Sequence, residues 1–150
     1  MQDNYRNIYK RARETSGMTQ ERFAEALGLS VESVRLYETG RGLPSDDVVV
    51  DMIAISGLQV LGYQHLLNKS RVAAEILPEV AECSLPQAVI QLICRIRDFG
   101  DRHRTDDLMN IAADGRIDSD ERALFDEIVA ELDSVVQAAM QLKYAKGGQS

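Results

Sequence analysis

Tryptophan is absent, proline occurs three times and cysteine twice, and three Phe and five Tyr are spread over 150 residues. A core so poor in large rings has to be filled by Leu, Ile, Val, Ala and Met, which suits helices packed on one another. With prolines only at Pro44, Pro78 and Pro86, little interrupts helical periods elsewhere. Cys83 and Cys94 lie eleven positions apart, without CxxC spacing or a histidine at metal-ligand spacing. No metal site is expected, and both read as reduced, partly buried thiols. No uninterrupted apolar run approaches the ~18 residues of a membrane span, and MQDNYRNIYKR carries no signal-peptide apolar region. The chain is expected to be soluble and cytoplasmic, with no membrane partner. His65 and His103 have no nucleophile at meaningful spacing, so an enzyme, a catalytic residue or a cofactor is not expected.

Net charge is −7, which at first argues against a polyanionic partner. Its distribution softens the objection: residues 1–44 hold seven Lys/Arg against six Asp/Glu, whereas residues 71–150 hold nine against fifteen. The acidity sits mainly in the second half.

Apolar spacing predicts helices nearly throughout, an all-α chain. Tyr5, Ile8, Tyr9 and Ala12 recur at helical spacing from Asn4 to Thr15, and Ser16-Gly17 stops the run. Thr19 can cap a helix Gln20 to Leu27, broken by Gly28, and Ser30 one from Val31 to about Thr39, followed by Gly40. Ser45 can cap Asp46 to about Ser56, with Asp46 and Asp47 set favourably against its dipole. A fifth helix after Gly57 closes the first unit near Lys69, and residues 70–84, with Pro78, are read as a linker. Ser84 and Gln87 form a capping box with Pro86 in the first turn. Leu85, Val89, Leu92, Ile96, Phe99 and His103 then step as a heptad-like seam that loosens near Gly100. Asp118 and Glu121 form a second capping box opening a last helix to about Tyr144. Its apolar face is wider than one partner helix needs. The expected organisation is 1–69 as a first domain, 85–145 as an antiparallel helical hairpin with surface left for a second copy, and 146–150 as a frayed tail.

The segment QERFAEALGLSVESVRLY, Gln20 to Tyr37, has the spacing of two short helices crossing at a glycine. A helix-turn-helix needs a small residue at the crossing, a glycine in the turn and apolar residues locking the second helix. Phe23, Ala24, Leu27, Gly28, Leu29, Val34 and Tyr37 fill those slots. In such a motif the second helix enters the major groove, so Val31, Glu32, Arg35 and Leu36 face base edges by position. Val31 could touch a thymine methyl, Glu32 accept from cytosine and Arg35 donate to guanine. Gln20, Ser30, Ser33, Thr39 and Arg41 are the candidate phosphate contacts.

At these residues the chain resembles the XRE family, the phage-repressor and Cro type of helix-turn-helix regulator. The resemblance covers roughly residues 4–69 and rests on MTQERFAEALGLSVESVRLYETGRGLPS, with its Thr-Gln opening and Tyr-Glu-x-Gly-x-x-x-Pro ending. It implies an N-terminal five-helix repressor-like domain, a dimer on double-stranded DNA reading an inverted-repeat operator, and a regulatory, repressor-type role. It also implies that Glu38 pairs with Arg13. Val31 and Leu36 stand where the family often has polar residues. LPQAVIQLI and ADGRIDSDERALFDEIV resemble the C-terminal segment of such regulators carried by prophages and integrative elements. The competing reading is a protein-binding module, antitoxin-like or an anti-repressor partner, with weak DNA affinity.

DGRIDSDE also invites a calcium-loop reading, with Asp114, Gly115, Ile117 and Glu121 at four of the loop places. Asn110 and Ala112 stand where two further oxygen ligands belong, so a turn leading into a capped helix is expected.

Overall fold

The computed structural model describes residues 8–145. Tyr5 and the tail at 146–150 lie outside the described residues. These contain nine α-helices, one short 3-10 turn and no β-strand. The helices are α1 Ile8–Thr15, α2 Gln20–Leu27, α3 Val31–Glu38, α4 Asp46–Ser56, α5 Val60–Lys69, α6 Arg71–Ile76, α7 Leu85–Asp101, α8 Arg104–Ile111 and α9 Arg122–Tyr144. The chain divides into two compact units, Met1–Leu77 and Pro78–Ser150.

In the first unit α1 packs against α3, α4 and α5, and α2 crosses α3. Ile8, Tyr9, Phe23, Val34, Met52 and Leu61 are almost fully buried, each contributing roughly 1.5–3 kcal/mol of apolar burial. Serine and threonine hydroxyls start three of these helices: Thr19, Ser30 and Ser45 accept from Arg22, Ser33 and Val48. Ser70 does the same for α6 by accepting from the Ala73 amide. That helix is an addition to the sequence reading, which saw only the break at Pro78. It ends at Ile76 because a residue preceding proline is driven out of the helical region.

His65, on α5, is buried between helices. Its Nε2 lies 3.1 Å from Asp46 Oδ1, an oxygen that also accepts from Lys69 Nζ at 2.7 Å. A carboxylate can only accept, so Nε2 carries the hydrogen and Nδ1 accepts from the Tyr9 hydroxyl, 2.8 Å away. Lys69 and then His65 hold the Asp46 carboxyl below the usual carboxylate range, and burial pushes the Tyr9 phenol up. Thus α1, α4 and α5 are joined by a polar chain as well as by packing.

In the second unit α7 and α9 are antiparallel. Arg102, at the end of α7, donates to Glu131 at 2.9 Å, while Gln137, near the end of α9, donates to the Glu79 carbonyl ahead of α7. The capping box of Ser84 and Gln87 forms, with Pro86 in the first turn. Two features depart from the sequence reading. The arm does not merely loosen near Gly100: it ends at Asp101, His103 adopts a left-handed φ of 56°, and α8 starts in a new direction. His103 is therefore exposed rather than part of a seam. The seam itself is rotated, for Ala88, Leu92 and Phe99 turn inward while Leu85, Val89 and Ile96 stay exposed. The small Ala88, fully buried, lets α9 approach at a row where larger side chains would hold it away.

Before the last helix, Glu121 Oε2 accepts from the Asp118 amide but only this half of the second capping box is made, and α9 starts at Arg122. Arg104 anchors α8 to α9, with its guanidinium donating to Glu131, Glu127 and Asp107. Its pKa rises beyond the usual arginine value, mainly through Glu131, and the Glu131 carboxyl is held below its usual range in return.

Candidate nucleic-acid interface

The corner is built from α2 and α3. Phe23, Ala24 and Val34 are about 1% exposed, which brings the two backbones close at Ala24. Gly28 makes the turn with φ 66°, a conformation that L side chains rarely adopt. The Leu29 amide then donates back to the Ala24 carbonyl at 2.9 Å, and the Gly28 amide to Glu25 at 3.1 Å, closing the end of α2. Ser30 turns the chain at once into α3, its hydroxyl also bonding Ser33 Oγ at 2.9 Å.

Beneath the corner lies an ionic cluster. Glu38 is buried, and its carboxylate takes a fork from Arg13: Nε donates to Oε1, and Nη2 to Oε2 at 3.2 Å. Arg13 also donates to the Met18 carbonyl at 3.0 Å, fixing the loop that leads into α2. The side chain of Gln20 adds a third donor to Glu38, at 2.8 Å. Its carbonyl oxygen in turn accepts from Arg35 Nε at 3.4 Å. Hence Arg13, Glu38, Gln20 and Arg35 form one chain running from α1 through the buried carboxylate to the exposed side of α3. The Arg13 pKa is raised, first by its hydrogen bond to Glu38.

Three side chains of α3 and that of Thr39, which follows its last residue, share its outward side: Glu32, Arg35, Leu36 and Thr39 are all exposed. Successive residues turn by about 100°, which places these four within about 100° of arc. Val31 lies at the flank of that arc and is half-buried, whereas Leu36 points outward at 37% exposure. Arg35 also approaches Glu32, 3.7 Å away, so the two read as one charged pair. Of the candidate phosphate contacts, Arg41 is exposed, Ser30 and Ser33 share a hydroxyl contact, and Thr39 Oγ1 donates to the Arg35 carbonyl at 2.8 Å. Gln20 is brought to Glu38 and Arg35, which occupies its amide in both directions.

At the amino end of α2 the Glu21 carboxyl is held below its usual range by its own backbone amide and by the Thr19 hydroxyl. An acid therefore sits at a helix end whose free amides suit a phosphate.

The bridging role of Gln20 and the polar chain from buried Tyr9 and His65 to exposed Asp46 are not legible in the sequence. A buried tyrosine hydroxyl demands a partner, so Tyr9 carried a weak signal. The spacing of 56 residues to His65 gave none.

Residues 10–61 match the family of helix-turn-helix domains, a span that begins in α1 and ends in α5. No curated protein matches the chain, and neither does any solved structure. The matched span contains the whole corner, the Arg13–Glu38 fork and all the candidate reading residues. A helix-turn-helix domain supports a DNA-binding regulator. No helix among the described residues is long and apolar enough to cross a membrane.

Proposed function

We propose that this chain is a sequence-specific DNA-binding transcriptional regulator of the XRE type, a repressor acting as a homodimer on an inverted repeat. The kind carried by prophages and integrative elements fits the C-terminal segment best. The observation that carries the proposal is the exposed arc of α3 held by the Gly28 turn on one side and by the Glu38 cluster on the other. Arg35 is steadied by Gln20 and Glu32, which costs less side-chain entropy at the moment of binding than a free arginine would. It is the residue assigned to guanine, with Glu32 to cytosine and Leu36 and Val31 to apolar contact with thymine methyls. Arg41, Thr39, Ser30 and Ser33 are assigned to phosphates.

The dimer is assigned to the α7–α9 hairpin. Leu85, Val89, Ile93 and Ile96 on α7, and Val129, Leu132 and Val136 on α9, are between 36% and 55% exposed. At about 100° per residue, each row lies about a quarter turn from the inward row of its own helix, in the same sense. In an antiparallel pair those offsets fall on one side, so the seven side chains form a single open face. At roughly 60–120 Å² of apolar area per side chain, somewhat under half exposed, the face offers on the order of 200–350 Å². That is about half of the ~500 Å² of apolar area each partner brings to a standard homodimer interface.

Binding to labelled duplex DNA tests the reading function. Affinity is expected to fall steeply with salt, and Arg41→Ala to weaken binding uniformly across sequences and reduce the salt slope by about one. Absence of any binding at low salt contradicts the proposal. A protein-binding module is the second reading, favoured by the outward Leu36 and by the acid at the start of α2. It is supported if duplex binding is absent while Leu36→Ala abolishes capture of a protein partner.

A further inference from the structure

The second unit contains a cleft of about 540 Å³ between the end of α8, the turn after it and the start of α9. Leu108, Ile111, Ile117 and Phe125 form its apolar lining, and Arg116 and Arg122 are its charged residues. Its volume falls in the range of small-molecule sites, which combine apolar walls with a few polar groups.

Like Arg95 and Arg97, the two arginines form no ion pair among the described residues. Residues 71–150 hold fifteen carboxylates against nine basic groups, so an arginine here has many chances of a partner. Arg102 and Arg104 take Glu127, Glu131 and Asp107. Among the described residues, no carboxylate oxygen lies within ion-pair distance of Arg116 or Arg122. Two of the neighbouring acids are engaged by backbone amides. Asp114 Oδ1 accepts from the Arg116 amide at 3.0 Å, and Glu121 Oε2 from the Asp118 amide at 3.1 Å. Gly115, with φ 75°, turns the chain between the short 3-10 turn Ala112–Asp114 and the loop after it, and Arg116 and Ile117 both border the cleft. The Arg122 guanidinium lies 6.0 Å from the centre of the Phe125 ring, resting on the apolar wall. Finally, α9 begins here with Glu121 as its N-cap residue, with no side-chain hydrogen bond to its free amides and no acidic residue in its first turn.

We propose that this cleft binds a small amphiphile with an apolar body and a single carboxylate, the body against Leu108, Ile111, Ile117 and Phe125 and the carboxylate on Arg116 and Arg122. A planar guanidinium matches a carboxylate in a fork, and the apolar surroundings strengthen that contact. An uncharged amphiphile of equal length gains only the apolar part. The cleft lies within the second unit and uses no residue of the α2–α3 corner.

The test uses the full chain with decanoate as probe, followed by methyl resonances of the isoleucines. Decanoate is expected to shift Ile111 and Ile117 saturably, and decanol to bind ~10-fold or more weakly, the size expected of lost hydrogen bonds to a charged group. The variant R116Q/R122Q, both positions exposed, is expected to keep its melting temperature and to lose the preference for decanoate over decanol. Ala112→Phe, which places a ring into the lining, is expected to weaken both probes. The proposal is overturned if Ile111 and Ile117 do not shift, or if decanol binds as tightly as decanoate. It is equally overturned if R116Q/R122Q keeps the preference, or if the shifts fall on Ile90, Ile93 and Ile96 of the open hairpin face.

Discussion

Glu38→Ala is expected to destabilise the first unit by about 3–5 kcal/mol, because it leaves the Arg13 guanidinium without its anion in a largely dry site. The exposures support the size of the effect: the Arg13 side chain is 14% accessible and that of Glu38 6%. The substitution removes three donors' common acceptor at once, since Arg13 Nε, Arg13 Nη2 and Gln20 Nε2 all end on this carboxylate. With the cluster gone, Gln20 loses one of its two ties to α3, and the support it gives Arg35 is weakened. Replacing both partners by apolar residues, R13M/E38L, is expected to recover most of the stability, since no charge is then left buried. Urea unfolding followed by circular dichroism checks both. A loss under about 1 kcal/mol for Glu38→Ala would show the pair to be behaving as an ordinary surface contact.

The second large effect concerns the hairpin. Ile93→Glu with Val136→Glu places one acid on each helix of the open face, at positions 48% and 51% exposed. The fold of one copy is expected to tolerate both, because neither side chain is in the inward row. A second copy bringing the same acids would meet like charges in an apolar interface. Sedimentation is expected to change from dimer to monomer, and affinity for a two-half-site duplex to drop by about a hundredfold or more as the avidity of paired readers is lost. If the wild-type chain already sediments as a monomer at tens of micromolar, the assignment of this face to dimerisation is wrong.

Much of the fold was legible because its signals are local. Ser, Thr and Gly mark the starts and stops of α2, α3 and α4, and apolar spacing reads the rest. The features that were not legible depend on distance or on competition between rows. The two candidate seams on α7 differ only in which apolar row faces α9, and periodicity is satisfied by either; the small volume of Ala88 decides it, and volume is a packing property. The break at His103 requires a non-glycine residue in a left-handed conformation, which histidine adopts more often than most residues but still uncommonly. At the corner, the residues that make the turn could be read off spacing, whereas the use of Gln20 could not. Its amide fits a phosphate or a buried carboxylate equally well, and the burial of Glu38 draws it inward. Val31 illustrates the limit from the other side: position in the helix gives it a place near the reading arc, but packing leaves it half-buried at the flank.

The most direct test of the central claim, that α3 reads DNA in pairs, is selection of bound duplexes from a random pool with the wild-type chain and with Arg35→Ala. The account predicts enrichment of an inverted repeat whose half-site centres lie about 10–10.5 base pairs apart, one turn of the duplex. It also predicts that Arg35→Ala relaxes a guanine at one position in each half-site, at a cost of ~10- to 100-fold for that base, and leaves the other positions unchanged. Recovery of no common sequence by the wild-type chain, or of the same guanine by Arg35→Ala, would contradict it.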